Sequence, residues 1–147
     1  MIVRIVLLLV CAASLMTTGC SSHRACGKNN WTITVGAGGG ITGGSSGYVM
    51  ECEGKVSSWR ILQPAKDKEM TSLFELGCDS TSFYKTYLDL IHFDTISYSA
   101  TGNWTYFVEL HEGERTHRVN WSGETGPAQV KNFYDLFVGF VTSRGKH

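Results

Sequence analysis

The sequence has no block or stripe of basic residues. Its 13 Lys and Arg balance its 13 Asp and Glu, giving a formal net charge of +0 at pH 7. Nucleic-acid binding therefore lacks its electrostatic footprint, and a polybasic membrane-surface patch is missing too. Nor is there a long apolar run. The stretch from Ile5 to Leu15 falls well short of the roughly 20 residues that a spanning helix needs. The spacings of a zinc site are also absent: no two cysteines form a C-x-x-C, and no histidine sits close enough to complete a set. His111-Glu112 and His117 are spaced too widely for H-E-x-x-H, which works because a helix puts both histidines on one face. No Gly-Lys-[Ser/Thr] follows the glycines, which excludes a P-loop. We expect no metal, no cofactor and no nucleic-acid partner.

What the chain does have begins at its N-terminus. Met1-Ile2-Val3-Arg4 carries one positive charge, the apolar run follows, and Met16-Thr17-Thr18-Gly19-Cys20 closes it with small residues. That is the layout of a secretory signal, to be excluded from fold reasoning. A cysteine directly after small residues at the end of such a segment resembles the lipobox of bacterial lipoproteins. The matching residues are Gly19 and Cys20, with Leu15 and Met16 just upstream and Ser21-Ser22 as a tether. The resemblance implies cleavage before Cys20 and a diacylglycerol carried on its thiol, palmitate among its acyl chains. Several acyl chains on one residue anchor stably, because each buried methylene adds about 0.8 kcal/mol. By the sorting habit of the family it resembles, serine after the lipidated cysteine implies an outer-membrane location in a Gram-negative cell envelope, facing the periplasm. The alternative is an ordinary signal peptide cut nearby, with Cys20 incidental.

On this reading residues 1–19 are the signal, 20–30 the tether and 31–147 a single domain, a length that fits one modest core. Beyond Cys11 and Cys20 the chain holds Cys26, Cys52 and Cys78, an odd number for an oxidising compartment. One pair is free to bridge, and the sequence does not choose it. Three N-x-[ST] sequons, at Asn30, Asn103 and Asn120, would carry glycans in a eukaryotic secreted protein and stay bare in a bacterium.

The domain reads as strands, helix, strands and helix. Trp31, Ile33 and Val35 alternate with threonines, the mark of a half-buried strand. Tyr48 to Cys52 and Lys55 to Ile61 flank Glu53-Gly54, a turn pair that closes a hairpin. Between Asp67 and Ile91 the pattern turns helical: Phe83, Tyr84, Tyr87, Leu88 and Ile91 recur at helical spacing, with Leu73, Phe74 and Leu76 beginning the helix or preceding it and Gly77 as a break. The segment Trp104 to Trp121 fits one hairpin register. With Gly113-Glu114 as the turn, Leu110 faces His117, Val108 faces Val119 and Tyr106 faces Trp121, while Glu109 meets Arg118 on the other side. A slip of one residue scatters the apolar set over both faces. Pro127 then opens a helix, as proline suits the first turn, with Val130, Phe133, Tyr134, Phe137, Val138 and Val141 as its stripe. The expected fold is α+β, an antiparallel sheet of about four strands packed against two helices.

The conspicuous local feature is Gly36-Ala37-Gly38-Gly39-Gly40-Ile41-Thr42-Gly43-Gly44, directly after the first strand. Gly38 to Gly43 fits G-x-G-x-x-G, but that fingerprint holds a pyrophosphate at the N-terminus of a following helix. Here the alternating Tyr48 to Cys52 follows instead. Gly43-Gly44-Ser45-Ser46-Gly47 likewise fits the G-x-S-x-G nucleophile elbow, which needs strand, sharp turn and helix. Asp94 and His117 lie downstream, but the hairpin register places His117 among core residues. A thiol pair of Cys78 with His92 has nothing to fix its distance. The tryptophans Trp31, Trp59, Trp104 and Trp121 all fall in expected strands, as core or as an aromatic platform.

The order of a first strand, a Gly-Gly-x-x-Gly loop, a returning strand, a helix, a hairpin and a final amphipathic helix resembles the emfourin-type inhibitors of thermolysin-like metalloproteases. Their signature is a Ser-Gly-Gly-Phe-Ala-Gly loop after the first strand. The matching residues are Gly39, Gly40, Ile41, Thr42 and Gly43, with Gly38 in place of the serine and Ile41 in place of the phenylalanine. The resemblance implies a protein partner at this loop. The expected function is a non-catalytic envelope lipoprotein, held to the membrane through Cys20, that serves as a binding module for a protein or other ligand, with protease inhibition as its most specific version. The alternative is a small hydrolase using the Gly/Ser-rich loop.

Overall fold

The structure is a computed structural model that describes residues 30–40, 43–62 and 67–145, Cys78 by its backbone alone. The signal segment, Cys20, Cys26, Ile41 and Thr42 lie outside the described residues. In chain order the elements are β1 (Trp31–Gly39), β2 (Ser45–Glu51), β3 (Lys55–Ile61), β4 (Lys68–Glu75), α1 (Cys78–Leu90), a short 3-10 turn (Phe93–Thr95), β5 (Trp104–Glu112), β6 (Arg115–Ser122) and α2 (Ala128–Arg144). The six strands form one sheet in the order β4-β3-β2-β1-β5-β6, and every neighbouring pair is antiparallel.

The alternation in β1 sets both faces of the sheet. Trp31, Ile33 and Val35 point to one side, and the cross-strand partners of Ile33 are Met50 on β2 and Leu110 on β5. These side chains join Val56, Val108, Val119 and Trp121 in one cluster with Tyr84 and Leu88 of α1 and with Val130, Phe133, Phe137 and Val141 of α2. Each large side chain so buried contributes about 1.5–3 kcal/mol, so this face carries most of the fold's stability. Both helices start where the sequence allows. Gly77 precedes the first turn of α1 and accepts from the Thr81 hydroxyl at 3.0 Å. The Pro127 carbonyl accepts from the amides of Val130 and Lys131, which closes the first turn of α2.

The opposite face carries a smaller cluster, Val49, Trp59 and Phe107, with Ile61 packed against it. Gly36 and Gly47 are paired at its centre, where the absence of side chains lets the rings of Trp59 and Phe107 lie on the backbone. The guanidinium of Arg118 covers Phe107 at 3.6 Å from the ring centre. It is held there by Glu109 at 3.5 Å and by Asn120 Oδ1 at 2.7 Å. The pairing of Glu109 with Arg118 and the three pairs on the helix face, Leu110 with His117, Val108 with Val119 and Tyr106 with Trp121, follow the register expected for this hairpin.

Two expectations need correction. The sheet has six strands, not about four, and residues 68–75 form β4 rather than the start of a helix. Lys68, Glu69 and Met70 are compatible with a helix by intrinsic preference, and nearly all of β4 is exposed on both sides, so no alternation marks it. What makes it a strand is its ladder to β3, from Ile61↔Lys68 to Lys55↔Glu75, with an irregularity at Val56/Ser57.

Candidate functional site

The glycine stretch does not all follow the first strand: Gly36 to Gly39 are the end of β1, and only the second half, from Gly40 to Gly44, connects β1 to β2. Gly39, Gly40 and Gly43 have φ of 131°, 73° and 62°, values that side chains other than glycine's rarely adopt. The Gly43 amide donates to the Gly40 carbonyl at 3.1 Å and the Gly39 amide to the Gly44 carbonyl at 3.1 Å, so the turn is tied at two levels. A third bond fixes it to the neighbouring chain: the Gly40 amide donates to the Asn103 carbonyl at 2.5 Å. A Cβ at Gly39 would collide with that same carbonyl, and one at Gly40 would rest on the Trp104 ring at 3.8 Å. The hairpin is thus held by backbone contacts on two sides. Gly39, Gly40 and Gly43 come together here as the sequence suggests, while their companions Ile41 and Thr42 fall outside the described residues.

Beside the hairpin lies Trp104, 45% exposed, and across a shallow depression of about 250 Å³ lies Leu62, 48% exposed. The other three tryptophans, Trp31, Trp59 and Trp121, are buried, so of the four only Trp104 offers an open aromatic surface. Nothing in the sequence separates it from the rest: it begins a strand with the same alternation as its neighbours. Its exposure follows from register, because it pairs with Gly39 at the very end of β1, beyond the reach of the helices.

The motifs that invoke chemistry do not find their context. Ser45 and Ser46 sit within β2, paired on one side to Gly38 and Ala37 and on the other to Ile61 and Arg60. A strand follows the glycines where both the dinucleotide fingerprint and the nucleophile elbow need a helix. His111 and His117 lie on opposite faces of the β5–β6 hairpin. His111 Nδ1 meets the Thr116 hydroxyl at 2.7 Å in solvent. His117 donates from Nε2 to the Ile96 carbonyl at 3.0 Å and stands edge-on to Phe93 at 5.1 Å. Among the described residues no three of His, Cys, Asp and Glu gather as a metal would need, and no helix is long and apolar enough to cross a membrane. Cys52 is one half of a disulfide; the sulfurs of Cys26 and Cys78 lie outside what is described.

Near the loop end of the sheet, Tyr134 of α2 stands edge-on to Tyr106 at 5.6 Å and to Trp121 at 5.4 Å. Burial pushes its phenol up to about 12, with Tyr106, Asp135 and Tyr48 adding to the rise. The folded state therefore favours the neutral phenol. Its contribution to stability is complete below the ordinary value of 10.0 and is lost as pH rises from there towards about 12. In an ultraviolet titration of the native protein, one of the six tyrosines is expected to ionise at the high end of that window. Tyr134→Phe should remove that component and leave stability less dependent on pH above 10.0. An unchanged titration in the variant would refute the assignment.

The sequence matches no protein-family model and no curated protein.

Proposed function

We propose that the protein is a non-catalytic lipoprotein of the cell envelope, anchored through Cys20, that binds a protein partner with the loop end of its sheet. Inhibition of a thermolysin-like metalloprotease is the most specific form of this reading. The observation that carries it is the glycine hairpin docked on Asn103 and flanked by the exposed Trp104 and Leu62. A loop tied by backbone bonds loses little freedom on binding, and an open tryptophan beside it is the side-chain type that most often dominates interface energy. Acyl chains on Cys20 would hold that surface at the membrane, where an envelope partner is met.

The test is to titrate the full chain, purified in detergent, into a thermolysin-like protease. Peptidase activity should fall with stoichiometric addition, and Trp104→Ala should weaken the effect by about tenfold or more. No loss of activity at micromolar protein removes the inhibitory form. A hydrolytic activity abolished by Ser45→Ala or Ser46→Ala would overturn the non-catalytic reading altogether. The anchor is checked in the same preparations, since radiolabelled palmitate should enter the wild type and not Cys20→Ala.

A further inference from the structure

The register of the first four strands builds a second feature, on the helix face of the sheet and adjoining the depression beside Trp104, with which it shares Ser46 and Arg60. Three rows run across β1, β2, β3 and β4. The row Ile33, Met50, Val56 and Phe74 is apolar and lies in or against the main core. The next, Val35, Tyr48, Ser58 and Thr71, turns to hydroxyls after its first member, and the third, Ala37, Ser46, Arg60 and Glu69, is polar from Ser46 onward. Ser46, Ser58 and Thr71 are small, so the floor drops where the helices no longer cover it. Tyr134 and Val138 of α2 form the wall, and the cleft they bound measures about 380 Å³. That is within the range of small-molecule sites, roughly 300–1,000 Å³.

The groups lining this cleft are chemically uncommitted. Among the described residues, the side chains of Ser46, Tyr48, Ser58 and Thr71 make no hydrogen bond, and Arg60 and Glu69 make no ion pair although they face each other across β3 and β4. Hydroxyls both donate and accept, which matches a ligand that is itself a set of hydroxyls. Tyr48 and Tyr134 contribute ring surface, which suits the apolar C–H face of a sugar ring. One guanidinium and one carboxylate sum to no net charge, so a neutral ligand is favoured. They also supply the charged hydrogen bonds that hold vicinal hydroxyls more strongly than neutral groups do.

We propose that this cleft is a binding site for a neutral mono- or disaccharide. The proposal goes beyond the partner-binding reading and does not depend on it. The test is calorimetric and amide-shift titration of the full chain, in a detergent without a sugar headgroup, with glucose, N-acetylglucosamine and cellobiose, and with glycine as a zwitterionic control. At least one of the three sugars should bind saturably at millimolar concentration or below, with shifts centred on Ser46, Tyr48, Ser58 and Thr71. Thr71→Trp, which fills the floor from an exposed position on the edge strand, should weaken binding by about tenfold or more without moving the melting temperature. Ser46→Phe repeats the test from another exposed position if the first variant does not fold. Absence of saturable binding for all three sugars would overturn the proposal. So would binding that either folded variant leaves intact, or binding of glycine in place of the sugars.

Discussion

Phe137→Ala is expected to cost about 3–5 kcal/mol, the range for emptying a buried aromatic position. Phe137 is 0% exposed and sits at the junction of the two helices. Its ring meets Tyr84 of α1 edge-on at 5.1 Å and stacks on Phe133, one turn earlier in α2, at 6.0 Å. Those neighbours are rings fixed on two helices and cannot collapse into the space left behind, so the cavity term adds to the lost transfer energy. A domain of this size has only about 5–15 kcal/mol in total, so much of its stability rests on this one ring. Urea unfolding followed by circular dichroism measures the change. Leu136, the adjacent residue and 43% exposed, provides the comparison, since its alanine variant should stay within about 0.5 kcal/mol of wild type. A loss at Phe137 no larger than that would show that the helices are not joined through this ring.

Gly47→Ala is expected to be comparably damaging for a different reason. A Cβ at Gly47 runs into the Val35 carbonyl oxygen and approaches the Gly36 Cα at 2.6 Å. Both obstacles are backbone atoms in the centre of the sheet, so relief requires moving a strand rather than a side chain. Overpacking typically costs about 1–3 kcal/mol, and with no flexible neighbour the loss should reach the upper end or pass it. Gly36→Ala should be milder, because its new methyl meets the rings of Trp59 and Phe107, the nearest Phe107 atom at 2.8 Å, and rings can rotate or shift. Gly139 in α2 has nothing within 4 Å of its Cβ position. There alanine should stabilise by up to about 1 kcal/mol through helix preference. Thermal melts of the three variants should rank them in that order, and equal melting temperatures for Gly47→Ala and Gly139→Ala would contradict the packing argument.

The sequence discloses most where several local signals must agree. In the β5–β6 hairpin, turn residues, apolar alternation and the Glu109–Arg118 pair all select one register, and that register is the one observed. The spacing of Val130, Phe133, Phe137 and Val141 likewise marks the buried face of α2. β4 is hidden because its identity comes from β3, not from itself. An edge strand exposed on both faces needs no alternation, and Lys68-Glu69-Met70 reads as well in a helix. The candidate surface is legible only in part. The glycines announce a turn with positive φ, but the partner of that turn, the Asn103 carbonyl, is remote in sequence. The cleft is less legible still: Ser46, Ser58 and Thr71 are ordinary residues in three separate strands, and only their cross-strand register makes them a floor.

The strand order also bears on how the chain reaches this structure. β1 sits between β2, its neighbour in sequence, and β5, which is separated from it by everything from residue 40 to residue 103. The four N-terminal strands can form as a meander through short connections, and β5 with β6 as an independent hairpin, each at low entropic cost. Joining β1 to β5 closes the longest loop in the molecule before the main core is complete, and pairings of that kind make folding slow. Until that seam closes, the central strand presents an open hydrogen-bonding edge and the face carrying Ile33 and Val35 is unroofed. Early in synthesis, before residues 104–112 exist, β1 has no second partner within its own chain. In the envelope lipoprotein we propose, which would cross one membrane and settle on another, late closure of this seam would delay compaction during export.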